Sequence, residues 1–171
     1  MARRVRASAI VLVCALAACV HAGSAGSTGS STVARVGRPA PPWTEPSLPG
    51  PSLSLAALHG KAIYLNFFAS WCPPCNAEAP AIDSIARDYA AQGLQVVGVD
   101  VLENARKAAD FRSEHHLTYP VVVDGGTLRD QYAVNGLPVH VFIGRDGIVQ
   151  RIVVGEMSAL EMRHSVERLL P

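Results

Sequence analysis

The chain has 171 residues, enough for one domain with a sizeable core and too few for two. Hydrophobic residues make up 49% and charged residues 17%, with 14 Gly and 12 Pro, which excludes a disordered chain, a collagen-like repeat and a coiled coil. Formal net charge is +1 and no Lys/Arg stripe follows the first six residues, so the electrostatic footprint of a nucleic-acid binder is missing.

Residues 1–18 read as an export signal. Arg3, Arg4 and Arg6 form a positive n-region, and Ala7 to Ala18 is an apolar run too short to stay in a bilayer as a spanning helix. The run ends Leu16-Ala17-Ala18-Cys19, which resembles a bacterial lipobox. That resemblance implies cleavage before Cys19 and lipidation of its thiol, tethering the protein to a membrane; an ordinary secretory signal with an incidental Cys is the alternative. Cleavage removes three Arg and no acid, leaving the mature chain mildly acidic. Residues 19–37 are rich in Gly, Ser, Ala and Thr without apolar periodicity, the composition of a flexible linker with a reach on the order of 20–25 Å. Pro39, Pro41, Pro42, Pro46, Pro49 and Pro51 predict an extended, irregular lead-in to a domain over residues 38–171.

Ala62 to Phe68 is nearly continuous apolar sequence with aromatics, the pattern of a central strand covered on both faces. It runs into Trp71-Cys72-Pro73-Pro74-Cys75. Ile82, Ile85, Ala86 and Tyr89 then recur at helical spacing until Gly93, predicting a helix over 73–92 with Pro73 in its first turn and Pro80 as a kink. A strand over 95–101, a helix over 104–116, a short strand over 121–123 and a brief helix over 128–133 follow. Val139 to Ile143 and Ile148 to Val154 flank Gly144-Arg145-Asp146-Gly147, a hairpin signal. Ser158-Ala159-Leu160-Glu161 is a capping box that opens a last helix with Met162, Val166, Leu169 and Leu170 on its apolar stripe.

Of four cysteines, Cys14 leaves with the signal and Cys19 would carry lipid, so Cys72 and Cys75 remain as thiols. A bridge closing so small a loop is no structural staple. Zinc would need two more ligands, and neither a second C-x-x-C nor an H-x-x-x-H exists. Redox chemistry is the better reading. Cys72, at the start of a helix, is placed where unpaired N–H groups favour a thiolate and is the nucleophile; Cys75, one turn in and more covered, resolves the mixed disulfide. Pro73 and Pro74 lack N–H donors, so thiolate stabilisation is partial, which favours a reductant or mild exchanger over a strong oxidase.

Strand, Trp-Cys-x-x-Cys at a helix start, a distant Gly136-Leu137-Pro138 before a hairpin, and a final helix together resemble the thioredoxin superfamily. More narrowly the chain is similar to the membrane-tethered thiol–disulfide oxidoreductases of the TlpA/ResA/CcmG type. The resemblance covers residues 37–170 and implies an α/β thioredoxin-like fold, a mixed central sheet flanked by helices, with a helix–strand insert over 102–124. It also implies a cis Leu137–Pro138 bond, with the Leu137 main chain pairing to an extended substrate and Pro138 shaping the site. Val139 and His140 follow this proline where a Thr is common. Glu78, in Glu78-Ala79-Pro80, matches a functional acid of ResA-like proteins that could take the Cys75 proton, and Asn66 replaces the buried Asp of classical thioredoxins. Trp71 is expected to cover the thiols and contact partners. His115 and His116 end a helix and suit its negative pole, and whether His140 reaches the thiols depends on which way its strand faces.

The function these features imply is a lipid-anchored thiol–disulfide oxidoreductase of the bacterial cell envelope. It would reduce disulfides in exported clients such as apocytochrome c or copper-site proteins, draw electrons from a membrane relay of the CcdA/DsbD type, and act as a monomer without metal or organic cofactor. A disulfide oxidase or isomerase on the same scaffold, and a non-enzymatic Cu(I) chaperone using both thiolates, are the rivals.

Overall fold

A computed structural model describes residues 33–171; the segment read as an export signal and Cys19 lie outside them. Three two-residue strands come first, β1 (Thr44–Glu45), β2 (Ser47–Leu48) and β3 (Leu53–Ser54). They are followed by β4 (Ala62–Phe68), α1 (Pro73–Tyr89), β5 (Leu94–Asp100), α2 (Ala105–Glu114), β6 (Val121–Val123), α3 (Thr127–Gln131), β7 (Val139–Ile143), β8 (Val149–Val154) and α4 (Ala159–Glu167). The main sheet has the order β2-β6-β5-β4-β7-β8. Its centre, β4, β5 and β6, is parallel; β7 and β8 are antiparallel to their neighbours, and β2 adds antiparallel to β6.

Every residue of β4 is buried, because side chains alternate between two covered faces. Tyr64 and Phe68 pack with Ile82 and Ile85 of α1, Phe111 of α2 and Met162 of α4. Ile63, Leu65 and Phe67 pack on the other face with Leu128, Tyr132 and Trp43. This is the thioredoxin-like arrangement, and α2 with β6 supplies the expected helix and strand between β5 and α3. Asp83 of α1 ties in that segment by accepting from the Thr118 N–H at 2.7 Å and its hydroxyl at 2.8 Å.

The lead-in is more ordered than its prolines and linker composition predict. Packing has begun by Ala34, inside the segment expected to be linker: Ala34 is buried and donates its N–H to the Gln131 carbonyl at 2.8 Å, and Gly37 donates to Val149 at 2.8 Å. Apolar Ala34, Ala40 and Trp43 cover a sheet face that α1, α2 and α4 leave open, so burial outweighs local irregularity.

α1 carries Pro73 and Pro74 in its first turn, where a missing N–H costs nothing, and continues through Pro80. A short 3-10 turn ends at Gly93 with φ +90°. A Cβ there would meet only the tip of the flexible Arg145 side chain, at 2.9 Å, so it is the positive φ that calls for Gly.

Candidate active site

The end of β4 delivers the chain to residues 69–72 at the carboxyl edge of the parallel strands, where open α/β sheets place their sites. Three side chains fix this loop. Glu103 accepts from the Ser70 N–H at 2.5 Å and from its hydroxyl at 2.7 Å. Asn76 donates to the carbonyls of Ser70 at 2.9 Å and Cys72 at 2.8 Å, and is held in turn by His115 Nε2 at 2.9 Å. His115 also packs on the Phe111 ring, so its role is to brace the loop, beyond the charge complement expected at a helix end.

Cys72 is the N-cap of α1 and is joined to Cys75 by a disulfide. Its Sγ accepts from the Cys75 N–H at 3.3 Å, the first donor available after two prolines. Burial does not separate the two cysteines as expected, since each is only 3% exposed. Access does: Cys72, and not Cys75, lines a cavity of about 930 Å³. Trp71, Leu102, Val134 and Leu137 line it too, and its charged groups, Arg129 and Asp130, pair with each other. Trp71 is 60% exposed and stands at the rim beside Cys72. The Leu137–Pro138 bond is cis; the Pro138 carbonyl accepts from Gly155 at 2.9 Å, and the β7 ladder to β4 starts at Val139.

Behind the cysteines lies a buried polar cluster. Glu78, one turn beyond Cys75, is buried, and its Oε1 accepts from the Met157 N–H at 2.6 Å. Burial pushes its carboxyl up from the ordinary 4.5 to about 7, with Met157 opposing and the Glu156 charge adding. Its Oε2 faces His140 Nε2 at 3.4 Å. His140 is fully buried, and its Nδ1 meets the Tyr64 hydroxyl at 2.8 Å and the Asn66 amide at 3.4 Å. Burial lowers its pKa to about 4, so the ring is neutral. His140 therefore meets the acid and not the sulfurs. Sequence reasoning singled out Glu78 but missed Tyr64, Asn76 and Glu103. Glu103's position just past the end of β5 was the available signal.

A sheet of this topology with a Cys-x-x-Cys disulfide across the first turn of a helix, opening on a cavity beside a cis proline, defines a thioredoxin-like thiol–disulfide oxidoreductase. Residues 36–152 match the AhpC/TSA family, and the chain belongs to that family. It is 31% identical over 141 residues to the thiol-disulfide oxidoreductase ResA of Geobacillus kaustophilus, covering 82% of this chain and 81% of that one. ResA of Geobacillus thermodenitrificans is 29% identical over 163 residues, covering 95% and 94%. Among solved structures, a thiol:disulfide interchange protein of the thioredoxin family from Chlorobium tepidum superposes with a TM-score of 0.73 at 30% identity, covering 81% of this chain and 99% of that one.

Proposed function

We propose that this oxidoreductase works in the bacterial cell envelope, held there by lipid on Cys19, and reduces disulfides of exported clients such as apocytochrome c or copper-site proteins. A membrane relay of the CcdA/DsbD type returns it to the dithiol form. The observation that carries the exchange mechanism is an asymmetry: Cys72 lines the cavity, while Cys75 lies behind it with a buried acid one turn further on. The Cys72 thiolate attacks a client disulfide, and one client sulfur leaves as a thiolate and takes a proton. Cys75 then passes its proton to Glu78 and attacks Cys72 Sγ. The Cys72–Cys75 bond re-forms, the second client sulfur leaves, and two electrons have passed to the client. Trp71 and the Leu137 main chain hold the client segment beside Cys72, and Pro138 shapes the floor.

The reducing direction is supported by the sparse donors at Cys72, where Pro73 and Pro74 contribute none and Cys75 N–H is the contact made. A potential nearer the ~−270 mV of thioredoxin than the ~−120 mV of a strong oxidase is expected. The deciding experiment replaces Cys75 with Ser and identifies proteins trapped on Cys72 by mass spectrometry. Cytochrome apoproteins or copper-site proteins are the expected catch; a broad sample of secreted proteins would favour an oxidase or isomerase, and no covalent capture would overturn the exchange mechanism.

A further inference from the structure

The exchange steps leave His140 without a task. It stands on β7 two residues past Pro138, paired in register with Asn66 of β4 and Val153 of β8. Glu78 Oε2 and His140 Nε2 are each buried with no other hydrogen-bond partner, and they face one another at 3.4 Å. The opposite ring nitrogen, Nδ1, lies 2.8 Å from the Tyr64 hydroxyl and 3.4 Å from the Asn66 amide nitrogen, either of which can donate to its one lone pair. A neutral ring accepting at Nδ1 carries its hydrogen on Nε2, aimed at the one carboxylate oxygen that Met157 does not hold.

We propose that His140, through its Nε2–H, is the positioning residue that holds Glu78 as an ionised base for Cys75. This rests on the reading of Glu78 as the acceptor of the Cys75 proton. With Met157 N–H on Oε1 and His140 N–H on Oε2, the carboxylate is fixed in orientation, and its remaining lone pairs are left for the proton that Cys75 gives up. The other groups bearing on the pair are few. Arg151 of β8, itself bonded to Ser165 at 2.8 Å, disfavours a charge on His140, whereas the Gly155 main chain favours one. Glu156 raises Glu78, and Tyr119 lies near Tyr64. Burial keeps the imidazole neutral, so His140 acts as a donor and not as a counter-ion.

Two measurements test this. In the full-length wild-type chain, ¹⁵N NMR of the His140 ring is expected to report the neutral Nε2–H tautomer at pH 8 to 9, where the Glu78 carboxyl is ionised; an Nδ1–H tautomer or an imidazolium there would overturn the proposal, whatever the variants do. The second is the pH profile for re-forming the Cys72–Cys75 bond after the reduced enzyme reacts with oxidised glutathione. The rate is expected to climb through the ionisation of Glu78, and Glu78→Gln to abolish that limb. His140→Asn, too short to reach Oε2, is expected to move the limb up by about one pH unit or more, since a donor to a carboxylate favours its charged form. His140→Gln, whose amide nitrogen reaches the place of Nε2, restores it. If Glu78→Gln leaves the limb intact, the reading of Glu78 falls and the proposal with it. If Glu78→Gln abolishes the limb while His140→Asn leaves it where it was, Glu78 stands as the base and His140 is not its partner.

Discussion

Glu78 and His140 have opposite effects on stability as pH changes, and replacing one of them exposes the other. The Glu78 carboxyl titrates near 7 in the folded protein against 4.5 in the unfolded chain. Between those values the folded state holds a proton that the unfolded state has lost, so stability falls as pH rises through the window. The span of about 2.5 pH units corresponds to about 3 kcal/mol. His140 titrates near 4 when folded against 6.5 when unfolded. There the unfolded state holds the extra proton, and stability rises with pH by a similar amount, about 3 kcal/mol. From pH 4.5 to 6.5 the two slopes cancel in the wild type. Glu78→Gln removes the falling slope alone. Asp100, whose carboxyl burial also pushes up to about 7, acts equally in both proteins and drops out of the difference. The variant's stability relative to wild type should therefore improve by about 3 kcal/mol between pH 4.5 and 7, read from urea unfolding of the oxidised proteins at half-unit steps of pH. A difference that stays flat across that range, or declines, would refute the assignment of a buried Glu78 that ionises only near pH 7.

Trp71→Ala should leave the urea midpoint essentially unchanged, because the ring is 60% exposed, while kcat/KM for a cysteine-peptide disulfide falls about fivefold or more as the rim contact is lost. Gly98→Ala should cost about 1–3 kcal/mol in urea unfolding: the new Cβ would lie 3.1 Å from Phe68 and 3.2 Å from both Tyr119 and Val121, in the middle of β5. Ser158→Ala removes the side chain that caps α4 by accepting from the Glu161 N–H and should lower stability by about 1 kcal/mol, measured the same way.

Strong local patterns were legible and weak ones were not. β4, β6 and β7 begin and end where their apolar runs do, and the Ser158 box opens α4 as its residues dictate. The lead-in strands β1, β2 and β3 are two residues each among prolines, and only their tertiary partners make them strands. The facing of His140 was hidden for a different reason. All five residues of β7 are buried, so no polar side distinguishes its two faces. Val139, Val141 and Ile143 pack on one cluster, and Phe142 on the other; alternation then puts His140 with Phe142, toward α1 and Glu78. The site's supporting contacts, Glu103 on Ser70 and His115 on Asn76, join residues more than thirty positions apart, which no local spacing reveals.

The proline-rich lead-in has a consequence for a protein whose substrates are the disulfides of other proteins. It covers part of both margins of the sheet: Pro46 and β2 pair along β6 on one side, and residues 37–40 bond to residues 147–149, the very start of β8, on the other. The outermost segment on the first side is only two residues long and ends at Pro49, which has no hydrogen to offer a stranger's backbone. On that side the sheet therefore offers another chain little backbone on which to add a strand.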